Sequence, residues 1–391
     1  MRRMAALLFV LTACVVSVSA AAQEPVKIGV ILTFSGQFAD PAAQIDNGIK
    51  LYMEQHGDQV AGRKIEIIRR DAGGPNPDVA KRLAQELVVR DKVDILTGFA
   101  LTPNALAAAD ISSEARKFMV VMNAATSIIT TKSPYLARVS LTVPQNCETL
   151  GTWAAKNGIT KVYTMVSDYG PGWDAEGAFQ RAYKEAGGRI MGSVRMPVAN
   201  PDFNVFVQRM KDADPNGVFV FVPGGSQPPA FVKALVALNV DLKKIRVIGQ
   251  GEIADETALA AVGDAGIGIT TAYHYDFRHA SAANRKFVQA YNAKFKRNPD
   301  IYSVGGYDGM HVIYAALEKT KGKTDGESLI GAAKGLKFES PRGPISIDPE
   351  TRDVVQTIYI RRVEKTGGEL QNVEIDKVEN VKDPVKARMK H

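Results

Sequence analysis

Short apolar runs recur along the chain, each followed by small or hydroxyl-bearing residues and then by apolar positions at helical spacing. The runs at 26–32, 93–96 and 118–122 are nearly uninterrupted, as strands covered on both faces require. Residues 64–69 alternate instead, with Ile65 and Ile67 predicted to face inward. Between these runs, Ile45, Ile49, Tyr52 and Met53 fall on one helical face, and Val79, Leu83, Leu87 and Val88 on another. The pairs Asp40-Pro41, Asn76-Pro77 and Thr102-Pro103 read as helix starts, since a short polar side chain caps free N–H groups and Pro suits the first turn. A strand at 136–140 closes the series.

The same grammar restarts near Pro144. A helix over 146–156 leads to predicted strands at 162–166, 190–195, 218–222, 245–248 and 269–274, with helices between them. Alternation of this regularity predicts an α/β fold with parallel sheets, and two successive runs predict two doubly wound lobes. After residue 275 the texture changes to helices at 282–295, 304–319 and 327–336, then a β region at 343–347 and 354–363. That late material is expected to complete both lobes. The N-terminal lobe then takes 23–143 plus about 275–342, and the C-terminal lobe 144–274 plus about 343–391.

The candidate site is the pair of loops after the runs 93–96 and 118–122. The first reads Gly98-Phe99-Ala100-Leu101-Thr102 and the second Asn123-Ala124-Ala125-Thr126-Ser127. Open α/β sheets bind ligands beyond the carboxyl ends of their strands. Free N–H groups at a helix start, with hydroxyls beside them, suit a carboxylate. Read alone, Thr102 serves equally well as a plain helix cap.

Composition narrows the field. The 391 residues are 45% apolar and 23% charged, which suits a folded protein rather than a disordered one. Residues 1–22 read as an export signal: Arg2-Arg3, an apolar stretch from Ala5 to Val18, then Ala20-Ala21-Ala22 before Gln23. Leu11-Thr12-Ala13-Cys14 is similar to a lipoprotein box, but apolar residues continue past Cys14. Removing Arg2 and Arg3 takes the formal charge from +7 to +5. The densest basic group, 382–390, is expected to aid solubility, and no basic stripe with interleaved aromatics points to nucleic acid. Cys147 is the only other cysteine, so a chain cleaved before Gln23 has no internal disulfide and no thiolate metal site. The segment 249–254 fits a loose dinucleotide fingerprint, but it lacks its context, and no nucleophile or metal constellation accompanies it. The chain is therefore read as non-catalytic, with no cofactor.

Read in order, several motifs together carry a resemblance. They are Phe34-Ser35-Gly36, Asp71 with Pro77, residues 98–102, Ala124-Ala125-Thr126, Asp168-Tyr169-Gly170, Pro201-Asp202-Phe203, Gly224-Gly225 and Gly306-Tyr307-Asp308-Gly309. With this set the chain resembles the leucine/isoleucine/valine-binding family of periplasmic solute-binding proteins that serve ABC importers. The resemblance implies a two-lobed type I fold, an export-compartment location, a monomer, and permease subunits as partners. It also implies that the lobes close by a hinge on a small carboxylate. Leu101, Thr102, Ala124, Ala125 and Thr126 would grip the carboxylate, Tyr169 would cover the ligand, and Ser226 and Gln250 would face the cleft.

One departure concerns the ligand. Amino-acid binders of the family place an acid after the strand ending at Gly249, whereas Gln250-Gly251-Glu252 leaves that acid displaced or absent, depending on the alignment. A missing acid would leave an ammonium group unpaired. That favours an aromatic acid such as a hydroxybenzoate, with a branched-chain amino acid as the alternative. Phe34, Phe38, Phe99, Tyr169 and Tyr307 are candidate ring contacts, although core packing accounts for such aromatics equally well. The remaining rival is a ligand-sensing receptor module.

Overall fold

The computed structural model describes residues 24–389, so the export signal and Cys14 lie outside the described residues. Among the described residues the strands form two sheets. The first holds β1 (Val26–Leu32), β2 (Gln59–Val60), β3 (Arg63–Asp71), β4 (Ile95–Gly98), β5 (Phe118–Val121) and β6 (Leu136–Arg138) in the order β2-β3-β1-β4-β5-β6. From β3 to β6 every pairing is parallel, and only the short β2 runs against β3.

The second sheet is built from β7 (Lys161–Ser167), β8 (Arg189–Met196), β9 (Gly217–Phe221), β10 (Arg246–Gln250), β11 (Thr270–Tyr273), β12 (Lys337–Ser340), β13 (Gly343–Ile347), β14 (Val354–Thr366) and β15 (Glu369–Val381). Its parallel part runs β8-β7-β9-β10-β11, and β14 then joins β11 antiparallel.

The helices are α1 (Ala39–His56), α2 (Pro77–Val89), α3 (Thr102–Glu114), α4 (Val143–Lys156), α5 (Gly170–Glu185), α6 (Phe203–Asp212), α7 (Gln227–Ala237), α8 (Glu256–Val262), α9 (Ala282–Phe295), α10 (Ile301–Lys319), α11 (Gly326–Ala333) and α12 (Pro384–Arg388). The central strands β1, β4, β5 and β9 are legible because each buries both faces. Val26, Ile28 and Val30 lie in a core with α1 and α10, while Ile31 faces the core of α2 and α3. In each lobe the strand order reverses beside the first strand, β1 or β7, which is where such sheets open a crevice. The two crevices face each other.

The chain passes between the lobes after β6, after β11 and before β12. Arg342 ties the first of these passages to α10 and β14. Its guanidinium donates to the carbonyl oxygens of Val139 and Ser140, to Asp308 Oδ2 at 2.9 Å, and to Gln356 Oε1 at 2.6 Å. The side chains of both Arg342 and Asp308 are almost fully buried.

Four expectations are corrected. Leu101, not Thr102, is the cap of α3, and Thr102 is the first helical residue with its hydroxyl turned elsewhere. Asp40 lies inside the first turn of α1, whose cap is Phe38. The helix expected to 336 ends at Ala333, and β12 follows it. The basic tail is not simply solvated, because Lys386 of α12 is buried and its ammonium pairs with Asp353 Oδ2 at 2.5 Å.

Candidate ligand-binding cleft

The loops leaving β1, β4 and β5 in one lobe meet those leaving β7, β9 and β10 in the other. Between them lies a small, tightly closed cavity. Its walls are apolar and aromatic, with Phe38, Leu141 and Val143 opposite Tyr169, Pro171 and Phe221. The rings of Tyr169 and Phe221 lie 6.2 Å apart.

At the first-lobe end the two candidate loops are bound into one unit. Ala124 N donates to Phe99 O at 2.9 Å, and Asn123 Nδ2 donates to Ala100 O at 2.8 Å. The hydroxyls of Thr102 and Thr126 are 3.1 Å apart. Behind them stands Arg138, fully buried, donating from Nη1 to Ala124 O (3.2 Å) and Thr126 O (2.7 Å). Asp353 Oδ1 in turn accepts from Arg138 Nε (3.0 Å) and Nη2 (2.6 Å). Fixing the carbonyls from behind orients the loop while keeping the cation out of the cavity. Among the described residues, no Lys or Arg lines it.

The second-lobe end is polar in a different way. Gln250 ends β10, and the single 3-10 turn Gly251–Ala254 carries Glu252 back to the cavity. The acid that the sequence left displaced or absent therefore stands in the cleft. Tyr302, from the first turn of α10, donates to Glu252 Oε1 at 3.2 Å, and Gln250 Nε2 donates to Oε2 at 3.4 Å. Burial, then the neighbouring Asp255, pushes the Glu252 carboxyl up to about 8, with Tyr302 acting the other way. The group is thus held largely protonated at neutral pH.

The lobes are closed on each other, and missing side chains make this possible. A Cβ on Gly224 would stand 1.9 Å from Tyr302 Oη, and one on Gly225 (φ +99°) would stand 2.8 Å from Gln37 O. Closure is also bonded. Ser127 N donates to Asp174 Oδ2 of α5 at 2.7 Å, and Ser127 Oγ donates to Asp383 Oδ2 at 2.6 Å.

Of the residues singled out from sequence, Phe38, Leu101, Thr102, Ala124, Ala125, Tyr169, Gln250 and Glu252 line the cavity. Thr126 does not: its hydroxyl meets that of Thr102, and it lines a neighbouring groove with Trp173 and Met389. The others lie elsewhere. Phe99 is fully buried in the core beside α3, in a left-handed conformation (φ +61°) that turns its carbonyl toward Ala124. Tyr307 packs edge-on against Tyr52 of α1 and donates to Gln55 Oε1 at 2.7 Å. Ser226 is exposed at the start of α7, and Phe34 is held outside the cavity, its N–H donating to Asp71. Sequence reasoning missed Arg138, Asp353 and Tyr302. A lone Arg in an otherwise apolar strand was a usable signal for the first, whereas nothing local marks the other two.

Two lobes whose strand ends enclose a cavity are the architecture of a solute-binding protein. The sequence comparisons agree. The periplasmic binding protein family model matches residues 25–369, and the chain belongs to that family. It is 43% identical over 369 residues to the Leu/Ile/Val-binding protein homolog 6 of Brucella melitensis, covering 94% of this chain and 95% of the relative. Among solved structures, it is similar to an ABC-transporter solute-binding protein of Rhodopseudomonas palustris BisB5 in complex with 3,4-dihydroxybenzoic acid. That match has 52% identity and a TM-score of 0.90, covering 93% of this chain and 99% of the other. A second, from Rhodopseudomonas palustris HaA2 in complex with p-hydroxybenzoic acid, has 41% identity and a TM-score of 0.90, covering 94% and 100%.

Proposed function

We propose that the chain is the solute-binding component of an ABC importer in the periplasm, capturing an aromatic carboxylate of the hydroxybenzoate class and presenting it to permease subunits as a monomer. The observation that carries this reading is the asymmetry of the cavity. One end offers hydroxyl and backbone N–H groups without a countercharge, the middle is apolar and aromatic, and the other end holds an acid kept neutral by burial. Neutral donors accept a carboxylate without the desolvation cost of a buried ion pair. A neutral acid gives an ammonium group no ready-made countercharge. The two Rhodopseudomonas relatives, which bind hydroxylated benzoic acids, support the same class. The role is binding and release, with no catalytic step.

A branched-chain amino acid remains the second reading, favoured by one observation: Glu252 does line the cleft. A ligand ammonium beside it would draw its proton off and form an ion pair. A thermal-shift screen of refolded, ligand-free protein separates the two, because a ligand that binds only the native state raises the midpoint by mass action. Hydroxybenzoates raising it while leucine and valine leave it unmoved supports the aromatic reading. The reverse pattern replaces it with the amino-acid reading.

A further inference from the structure

The second-lobe end of the cavity is built more closely than an apolar wall needs. Gln250, Glu252 and Tyr302 are 2%, 8% and 4% exposed, respectively, and all three line the cavity. Both carboxyl oxygens of Glu252 already accept from the protein, one from Tyr302 and one from Gln250. Gln250 Oε1, by contrast, is buried without a partner. Filling this corner with a bare ring edge would leave that oxygen unpaired. A second carboxylate there could not donate to it. A phenolic hydroxyl both donates and accepts, so it can give its hydrogen to Gln250 Oε1 and take the hydrogen of a protonated Glu252.

We propose that Gln250, Glu252 and Tyr302 form a hydroxyl-reading subsite, which takes the ring hydroxyl of a hydroxylated benzoate and makes this chain prefer 4-hydroxybenzoate to benzoate. The inference rests on the aromatic-acid reading above and adds which end of the ligand each lobe recognises. The ligand carboxylate goes to the Thr102 and Thr126 end, and the ring hydroxyl to the Glu252 end.

Near neutral pH the subsite holds Glu252 in its acid form. The groups that interact with Glu252 are Asp255 just after it in the chain, Tyr302 of α10, Tyr273 of β11, Tyr169 before α5 and Cys147 of α4, none of them a cation. Burial and Asp255 together keep the proton in place until the pH approaches about 8. Above that, Glu252 accepts the phenol hydrogen instead, in a charge-assisted bond that a bare ring edge cannot supply, so the preference for the hydroxylated ligand widens.

Isothermal titration calorimetry of refolded protein with benzoate and 4-hydroxybenzoate at pH 6.5, 7.5 and 8.5 tests this. At pH 6.5, 4-hydroxybenzoate is expected to bind roughly 10- to 100-fold tighter than benzoate, the range for one buried polar group left unpaired, and the ratio should widen by pH 8.5. In Glu252→Gln, whose amide keeps a donor but cannot ionise, the ratio should become level with pH. In Glu252→Leu, and to a lesser degree in Tyr302→Phe, it should collapse toward one. Wild-type protein that binds both acids within about threefold overturns the subsite while leaving the aromatic-acid reading in place. A preference that survives Glu252→Leu overturns it equally. Failure of both acids to bind removes the aromatic-acid reading and the subsite together.

Discussion

Asp353→Ala probes the support behind the first-lobe loops. Asp353 is 1% exposed in its side chain and faces two cations, Arg138 (0%) and Lys386 (8%), at 2.6 and 2.5 Å. Truncation leaves both cations buried without their shared anion. Breaking a buried pair from one side costs about 3–5 kcal/mol. At about 2–4 °C per kcal/mol for units of 150–250 residues, this corresponds to a fall in the melting midpoint of roughly 6–20 °C. The assay is a thermal melt of ligand-free protein followed by far-ultraviolet circular dichroism. Adding Lys386→Met to Asp353→Ala removes one of the stranded cations and should restore part of the loss. Because Arg138 also holds the carbonyls of Ala124 and Thr126, the single variant should bind ligand more weakly as well. A midpoint within about 2 °C of wild type would show that the network is not the support described.

Three further outcomes follow from the cleft. Thr102→Val removes one of two hydroxyls 3.1 Å apart and should weaken binding of the carboxylate by roughly 10- to 100-fold in calorimetry; unchanged affinity would contradict its place at the carboxylate end. Glu252→Gln should stabilise the ligand-free protein in a pH-dependent way. The folded-state value of Glu252 lies near 8 against an ordinary 4.5, so wild-type stability from this group is complete below pH 4.5 and is lost as the pH rises to 8. The variant's gain should therefore grow between those limits and then level off, and a gain independent of pH refutes the assignment. Gly225→Ala introduces a Cβ 2.8 Å from Gln37 O at φ +99°; it should lower stability by about 1–2 kcal/mol and weaken binding by at least about tenfold if closure needs that approach. Binding at wild-type strength would mean that closure tolerates the extra carbon.

The parallel strands were legible because a strand buried on both faces reads as a continuous apolar run, and the loops after β4 and β5 followed from strand direction alone. What escaped was of two kinds. β15 is a charged, largely exposed strand at the sheet edge, where Glu369, Glu374, Asp376, Lys377 and Glu379 break the apolar pattern while guarding against edge-to-edge pairing. Tyr302, Asp353 and Lys386 act through partners distant in sequence, Tyr302 lying 50 residues from Glu252 and Asp353 215 from Arg138. No local spacing encodes such meetings. The aromatic candidates divided on the same physics. Phe38 and Tyr169 reach the cavity, whereas Phe99, although it directly follows β4, and Tyr307 of α10 lie in packing layers where an aromatic ring contributes chiefly through burial.

The central claim is that the closed cleft holds an aromatic acid with its carboxylate toward the first lobe. A crystal structure of the refolded protein grown with 4-hydroxybenzoate tests it most directly. The account predicts the carboxylate within hydrogen-bond reach of Thr102 and the Ala124–Thr126 loop, with the phenol oxygen against Gln250 and Glu252. A ligand bound the other way round, with its carboxylate against Glu252, would contradict it, and so would a cleft left empty by the acid and filled instead by leucine under competition.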